Sequence, residues 1–142
     1  MQLETFVKIS DAMMGFARDL ATCSHCERGS HGCVLADENM QVLSYGYNGV
    51  ASGLDNRCLH PTEPGRCGCV HAEANALAKE RVRPAFYAFT TGSPCANCAQ
   101  MLINAGVRRI VYAHETSPFR DPIVGGLQVL MAADGLAWGP WR

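Results

Sequence analysis

The chain has 142 residues, of which 48% are hydrophobic and 18% are charged, and its formal net charge is −1. A chain of this length and composition is expected to fold as a single domain over residues 1–142, which excludes a disordered or fibrous protein. It contains no apolar run near the ~20 residues that a membrane-spanning helix needs, and its nearly neutral charge makes it a poor candidate for binding nucleic-acid phosphates.

A first amphipathic helix is predicted before residue 22. Its apolar residues recur every three or four positions, which places them on one helical face: Phe6, Ile9, Met13, Phe16, Ala17 and Leu20. Acidic and basic residues are mixed among them, unlike the apolar core of a secretory signal peptide. We therefore expect a cytoplasmic protein.

Two antiparallel strands and a long loop are predicted next. Residues 32–36 and 40–45 have the apolar character of strands, and the polar residues 37–39 between them form a turn. Residues 46–65 are rich in Gly, Pro and Asn and predict a loop. Loops of this length in compact domains are usually functional or anchored.

Helices and strands alternate in the rest of the chain. The alanine-rich residues 71–80 favour a helix, and residues 85–90 favour a strand. Pro94 opens a further helix that Gly106 would end. A short strand at residues 109–112 and a last helix at residues 126–133 complete the prediction. Strands that alternate with helices indicate parallel crossovers, so we predict an α/β fold with a mixed sheet.

Cysteine spacing is the strongest chemical signal in the sequence. Eight cysteines in a chain without a secretory signal are typical of metal ligands rather than disulfides. They fall into pairs and single positions: Cys23-x-x-Cys26, Cys33, Cys58, Cys67-x-Cys69 and Cys95-x-x-Cys98.

Two short motifs predict a catalytic zinc site. Cys95 and Cys98 are three residues apart at a predicted helix start, where the helix dipole favours the thiolate form. His71 begins another predicted helix and can supply a third ligand. Three protein ligands leave a fourth zinc position for water, which is the arrangement of a catalytic site. Glu73 would then act as the general acid/base without binding the metal.

The alternative interpretation is that Cys95 and Cys98 form part of a zinc knuckle while His71 only caps a helix. The Cys-x-x-Cys spacing alone does not separate the two interpretations. Its combination with His71-x-Glu73 favours catalysis, because that combined signature is typical of zinc deaminases.

The motifs that begin at His71, Ser93 and Ile103 resemble the cytidine/deoxycytidylate deaminase superfamily, and residues 46–53 resemble its deoxycytidylate (dCMP) branch. The resemblance covers nearly the whole chain. It implies a three-layer α-β-α fold with about five strands in a mixed sheet. It also implies hydrolytic deamination of dCMP to ammonia and dUMP, the precursor of dTMP, with attack at C4 of the pyrimidine and proton transfer by Glu73.

The resemblance also implies substrate contacts. Asn48 would contact the sugar, although an Asn-Gly pair is equally typical of a tight turn. Ala72 and Ser93 would border the pyrimidine site. Tyr112 would lie near the pocket, but a core tyrosine is the simpler interpretation. Arg120 would meet the substrate phosphate or a neighbouring subunit, or remain a solvated arginine.

A second, structural zinc is implied by the same resemblance, because some dCMP deaminases fasten the loop before the His-x-Glu helix with one. By position, its ligands here would be Cys26, Cys58, Cys67 and Cys69, with Cys23 and His60 as rival ligands. Four thiolates make a closed structural site. The alternative is a set of free buried thiols, and Cys33 is expected to be a core residue.

Family relatives are commonly oligomeric, often hexameric, and are often activated by dCTP and inhibited by dTTP. We therefore expect a homo-oligomer, to which the terminal Trp138 and Trp141 could contribute. Alternative functions are deamination of a 5-modified dCMP or of another cytosine nucleotide or nucleoside. A tRNA adenosine deaminase and a non-catalytic zinc-binding module are further alternatives, the former disfavoured by the net charge.

Overall fold

A computed structural model describes residues 1–63, 66–79, 83–114 and 128–131 of the chain. Three helices and five strands lie in this part. In chain order they are α1 (Leu3–Ala21), β1 (Gly32–Ala36), β2 (Val42–Tyr47), α2 (Ala72–Lys79), β3 (Tyr87–Gly92), α3 (Ala96–Asn104), β4 (Arg109–His114) and β5 (Gln128–Met131).

The strands form one sheet in the order β2-β1-β3-β4-β5. β1 pairs antiparallel with both β2 and β3, whereas β3, β4 and β5 run parallel. α3 makes the crossover between β3 and β4, as parallel neighbours require. The structure thus confirms the α/β prediction, with an antiparallel opening hairpin and a parallel second half.

Helix α1 covers one face of the sheet. Its buried residues Met14, Ala17 and Leu20 follow helical spacing and pack against Val34 of β1 and Phe89 of β3. The amphipathic pattern before residue 22 therefore predicted this helix correctly.

Helices α2 and α3 cover the opposite face. Ala76 of α2 and Leu102 of α3 share a buried cluster with Leu35 of β1, Ala88 of β3 and Ile110 of β4. Val34 and Leu35 are successive residues of one strand and point into different clusters, because side chains alternate across a strand. Covering the sheet on both faces makes every residue of β1 buried.

The predicted last helix at residues 126–133 is wrong for residues 128–131, the part of it that the structure describes. Residues 128–131 form β5, which pairs in parallel with β4 from Arg109 opposite Gln128 to Tyr112 opposite Met131. A short apolar run does not distinguish a strand from a helix by periodicity. Here the edge of β4 favours a strand, because pairing with it provides hydrogen-bond partners for backbone N–H and C=O groups of β4. At the other edge, β2 extends to Tyr47, beyond its predicted end.

Two glycines let the helices lie directly on the sheet. A Cβ atom at Gly32 would overlap the carbonyl oxygen of Ala17 in α1. A Cβ atom at Gly46 would lie 2.5 Å from the carbonyl oxygen of Ala72 in α2. α1 and α2 are thus positioned by close backbone contacts that only glycine permits. None of the described helices is long and apolar enough to cross a membrane.

Candidate active site and a second thiol cluster

Three predicted metal ligands meet where α2 and α3 begin. Cys95 is the N-cap of α3, and its Sγ accepts a hydrogen bond from the backbone N–H of Cys98, 3.5 Å away. His71 immediately precedes α2, and its carbonyl oxygen accepts the N–H of Asn75 at 3.0 Å. Both helix N-termini therefore direct their positive dipole ends towards these side chains.

The distances between the three ligand atoms fit a tetrahedral zinc ion. Nδ1 of His71 lies 3.3 Å from Sγ of Cys98 and 3.6 Å from Sγ of Cys95. Zinc bonds of normal length at the tetrahedral angle place a nitrogen and a sulfur ligand about 3.6 Å apart. The three side chains thus fit a zinc ion that keeps one coordination position open, and His71 is on the solvent side of the group.

Glu73 lies in the first turn of α2 and is 8% exposed. Burial raises the pKa of its carboxyl group above the ordinary value, while the charge of His71 and a hydrogen bond with Cys98 act in the opposite direction. Burial and the nearby Glu73 also raise the pKa of the Cys98 thiol. A buried carboxyl group whose pKa is raised by burial and lowered by neighbouring groups is suited to accept and donate a proton.

Asn48 has a structural task that its sequence pattern did not indicate. Its Oδ1 accepts the backbone N–H of His31 at 2.7 Å, and its Nδ2 donates to the carbonyl oxygen of Gly29 at 2.7 Å. The residue is 6% exposed. Asn48 therefore fastens residues 29–31 to the end of β2, rather than serving only as a turn residue before Gly49.

The other predicted substrate residues lie in different parts of the chain. Ala72 and Ser93 are buried and immediately precede Glu73 and Pro94, within the segments that carry the zinc ligands. Tyr112 is 7% exposed and packs in the cluster beneath α2 and α3. Arg120 lies outside the described residues, as do Trp138 and Trp141.

A second group of four cysteines lies beside this site. Sγ of Cys58 is 3.7 Å from that of Cys26 and 3.6 Å from that of Cys69, and the Sγ atoms of all four, including Cys67, lie within 4.8 Å of one another. Tetrahedral zinc–thiolate bonds place sulfur atoms about 3.8 Å apart. The four thiols, which we call the thiol cluster, therefore fit a closed tetrahedral site.

The thiol cluster joins three separate segments of the chain. Cys26 follows α1, Cys58 lies in the loop after β2, and Cys67 and Cys69 precede α2. The backbone N–H of Glu27 donates to Sγ of Cys58 at 3.3 Å, and burial followed by the neighbouring thiols raises the pKa of Cys69. Adjacent thiols resist losing their protons together, and a bound cation removes that resistance.

Among the described residues, the thiol cluster includes neither rival ligand. Cys23 is exposed, and Nδ1 of His60 lies 3.6 Å from a carboxylate oxygen of Glu63. Cys33 is completely buried in β1, in agreement with its prediction as a core residue. Burial is the first cause of its raised pKa, and the nearby Glu73 and Cys98 add to it.

The model of the family described as the cytidine and deoxycytidylate deaminase zinc-binding region matches residues 7–114. This match extends from within α1 to the end of β4 and includes the N-termini of α2 and α3 and all eight cysteines. The chain belongs to this family. For this deaminase-family chain, the zinc-binding character of the family agrees with the spacing of His71, Cys95 and Cys98.

Two relatives named deoxycytidylate deaminase match this chain over different shares of their own length. The protein of Mycobacterium phage D29 is 32% identical over 121 residues, which cover 72% of this chain and 92% of the phage protein. The protein of Schizosaccharomyces pombe is 33% identical over 113 residues, which cover 70% of this chain. That match spans only 35% of the yeast protein.

A solved structure matches the deaminase-family chain over most of its length. The dCMP deaminase of the cyanophage S-TIM5, crystallised in complex with dCMP and dUMP, has a TM-score of 0.74 and 29% sequence identity. The match covers 92% of this chain and 98% of the cyanophage chain. The two chains therefore share the fold.

Proposed function

We propose that this protein is a zinc-dependent deaminase that converts dCMP and water to dUMP and ammonia. The observation that carries the proposal is the His71, Cys95 and Cys98 group beside the buried Glu73. The cyanophage structure that matches 92% of this chain was obtained with dCMP and dUMP, the substrate and product of this reaction. The two phage proteins are similar to this chain over more than nine-tenths of their own length.

The proposed roles follow from the donor atoms and their surroundings. His71, Cys95 and Cys98 would hold zinc, which lowers the pKa of a coordinated water so that hydroxide is available near neutral pH. Glu73 would take a proton from water and give it to N3 of cytosine, and it would then move the proton of the new hydroxyl group on C4 to the amine, which departs as ammonia. Its burial within α2 keeps it in a fixed position for these transfers.

The proposed pocket residues surround this centre. Ala72 and Ser93 would border the cytosine ring, since both are buried next to the ligand-bearing helix starts. Asn48 would contact the sugar through the amide hydrogen and lone pair that remain after its bonds to residues 29 and 31. Tyr112 and Arg120 are the remaining proposed substrate contacts.

A structural zinc in the thiol cluster is part of the same proposal. Sulfur separations of 3.6–3.7 Å support it, as does the placement of the four ligands on three segments. Metal analysis of the protein purified under reducing conditions should give two zinc ions per chain. A single zinc ion, retained in Cys98→Ser and lost in Cys58→Ser, would place the metal in the thiol cluster and contradict the catalytic site.

The proposal extends to a homo-oligomer in the cytoplasm, with dCTP and dTTP as effectors. All eight cysteines are free thiols, which suits a reducing compartment. β2 lies at the edge of the sheet and exposes Val42 and Tyr45, a surface that a second copy could cover. Light scattering with and without dCTP or dTTP measures the assembly and its response to effectors.

Product chromatography tests the substrate. The zinc-loaded protein is mixed separately with dCMP, deoxycytidine and 5-methyl-dCMP, each with and without dCTP. Rapid formation of dUMP with little deoxyuridine is expected, because the proposed enzyme binds the 5′-phosphate of its substrate. Preferred turnover of 5-methyl-dCMP would move the substrate to a modified nucleotide, and no turnover of any of the three would overturn the proposal.

A further inference from the structure

One residue separates the thiol cluster from the candidate catalytic site. Cys69 belongs to the cluster, His71 to the catalytic group, and Val70 lies between them. The N–H of Val70 donates to the carbonyl oxygen of Gly49 at 2.8 Å, and the N–H of Gly49 donates to that of Val70 at 3.1 Å. Because two residues of extended chain span about 7 Å, the position of Cys69 closely restricts that of His71.

His71 needs this restriction more than its fellow ligands do. Cys95 and Cys98 are held on the same turn of α3, and a hydrogen bond joins them. His71 comes from another element, and its side chain is exposed rather than packed in the core. On its C-terminal side it is held by α2, and on its N-terminal side it is held by the bridge between Val70 and Gly49.

We infer that the thiol cluster is a positioning device for His71. Metal bound by the cluster raises the affinity of His71, Cys95 and Cys98 for their own metal, and the bridge between Val70 and Gly49 carries the coupling. By thermodynamic linkage, metal at the catalytic site raises the affinity of the cluster by the same factor. The inference rests on the proposed function, since both sites must take metal. Coupling between linked sites is typically about 5- to 150-fold.

The experiment uses the full chain loaded with cadmium, a spectroscopic substitute for zinc. NMR of the bound cadmium distinguishes a site with four sulfur ligands from one with two, so each site is followed separately during titration with a chelator. Cys58→Ser breaks the cluster, and Cys23→Ser is the matched control, because Cys23 is exposed and lies outside the cluster. Circular dichroism checks that each variant is folded.

Substitution of Gly49 tests the route of the coupling. Gly49→Pro removes the N–H that donates to Val70, whereas Gly49→Ala keeps it, and a Cβ atom there meets nothing within 4 Å. If Gly49→Pro fails to fold, Cys58→Ser and the reciprocal Cys98→Ser still measure the coupling from both ends.

In Cys58→Ser, we expect the catalytic site to lose cadmium at a chelator concentration at least about tenfold lower than in Cys23→Ser. Cys98→Ser should weaken the cluster by a similar factor. The effect of Cys58→Ser should persist with Gly49→Ala and shrink below threefold with Gly49→Pro. Catalytic-site affinity within threefold of the Cys23→Ser control would overturn the inference, as would a full effect in the Gly49→Pro background. Absence of a catalytic-site signal in the wild type would instead contradict the proposed function.

Discussion

The two ligand groups of this protein are built in contrasting ways. The candidate catalytic group sits on the N-termini of α2 and α3, with Glu73 buried beside it. The thiol cluster sits on irregular segments, with Cys58 in a loop whose neighbours Leu54 and Leu59 are exposed. Packing against the sheet places Cys95, Cys98 and Glu73, whereas the thiol cluster has little packing of its own.

This contrast shows which group depends on its metal for structure. α2 and α3 pack on the sheet through Ala76 and Leu102, so we expect Cys95 and Cys98 to keep their positions without a metal. The described residues of the loop segments belong to neither hydrophobic cluster of the sheet, so in the proposed function metal coordination would supply the folding free energy that packing does not. We therefore expect metal loss to abolish chemistry at one group and local order at the other.

The largest effect on activity is expected at the candidate catalytic group. Glu73→Gln should lower kcat for dCMP by about 10²- to 10⁴-fold, because it removes the proposed general acid/base. Zinc content should stay unchanged, since Glu73 is not a ligand. Metal analysis and steady-state kinetics on the same preparation measure both. Retained activity would remove Glu73 from the mechanism, and lost zinc would assign it a structural role.

Removal of metal should reduce local order most strongly at the thiol cluster. Arg57 and Arg66 are exposed and directly precede Cys58 and Cys67, so trypsin reports on this segment. With a chelator present, cleavage at these two arginines should become at least about tenfold faster, because bound metal stabilises only the ordered state.

Lys8 provides the internal control for this measurement. It is exposed but lies within α1, away from the cluster, so its cleavage rate should not change. Mass spectrometry of the fragments gives both rates. Equal acceleration at all three positions would indicate global unfolding, and unchanged cleavage at Arg57 and Arg66 would show that the loop is ordered without metal.

A substitution at Gly46 tests whether packing rather than metal positions α2. The Cβ atom of Gly46→Ala would lie 2.5 Å from the carbonyl oxygen of Ala72 and 2.6 Å from the backbone nitrogen of Ala76. Since neither backbone atom can move alone, α2 must shift, and the free energy of unfolding should fall by about 3 kcal/mol. Urea denaturation measures this fall.

Gly15→Ala is the matched control, because a Cβ atom at this position in α1 meets nothing within 4 Å. It should raise the free energy of unfolding by about 0.5–1 kcal/mol, as alanine is favoured over glycine within a helix. A loss at Gly15 equal to that at Gly46 would contradict the assignment of the Gly46 effect to its contact with α2.

The smallest effect concerns Asn48, which fastens residues 29–31 to the end of β2. Asn48→Ala leaves the backbone N–H of His31 without its side-chain acceptor, so the free energy of unfolding should fall by about 1–2 kcal/mol. Asn39→Ala, at an exposed position, should stay within about 0.5 kcal/mol of the wild type. Urea denaturation measures the free energy of unfolding of both variants. Equal values would show that the hydrogen bonds of Asn48 contribute little to stability.

Local patterns determined most of the elements and their types. The helical spacing up to Leu20 predicted α1, and the alanine-rich run after His71 predicted α2. These patterns predict elements correctly because a helix or strand buries one face, so its apolar residues recur with the period of that element. Residues 126–133 carried no decisive period, and there the prediction of a helix was wrong for the part that forms β5.

The ligand types and their short spacings were also determined by the sequence, since Cys95 and Cys98 fall on one helical turn wherever that helix lies. Only the tertiary structure decided which elements meet. It placed His71 3.3 Å from Cys98, it left Cys23 outside the thiol cluster, and it paired Val70 with Gly49. Such contacts join residues far apart in the chain, and they depend on how the helices pack on the sheet, which no local pattern records.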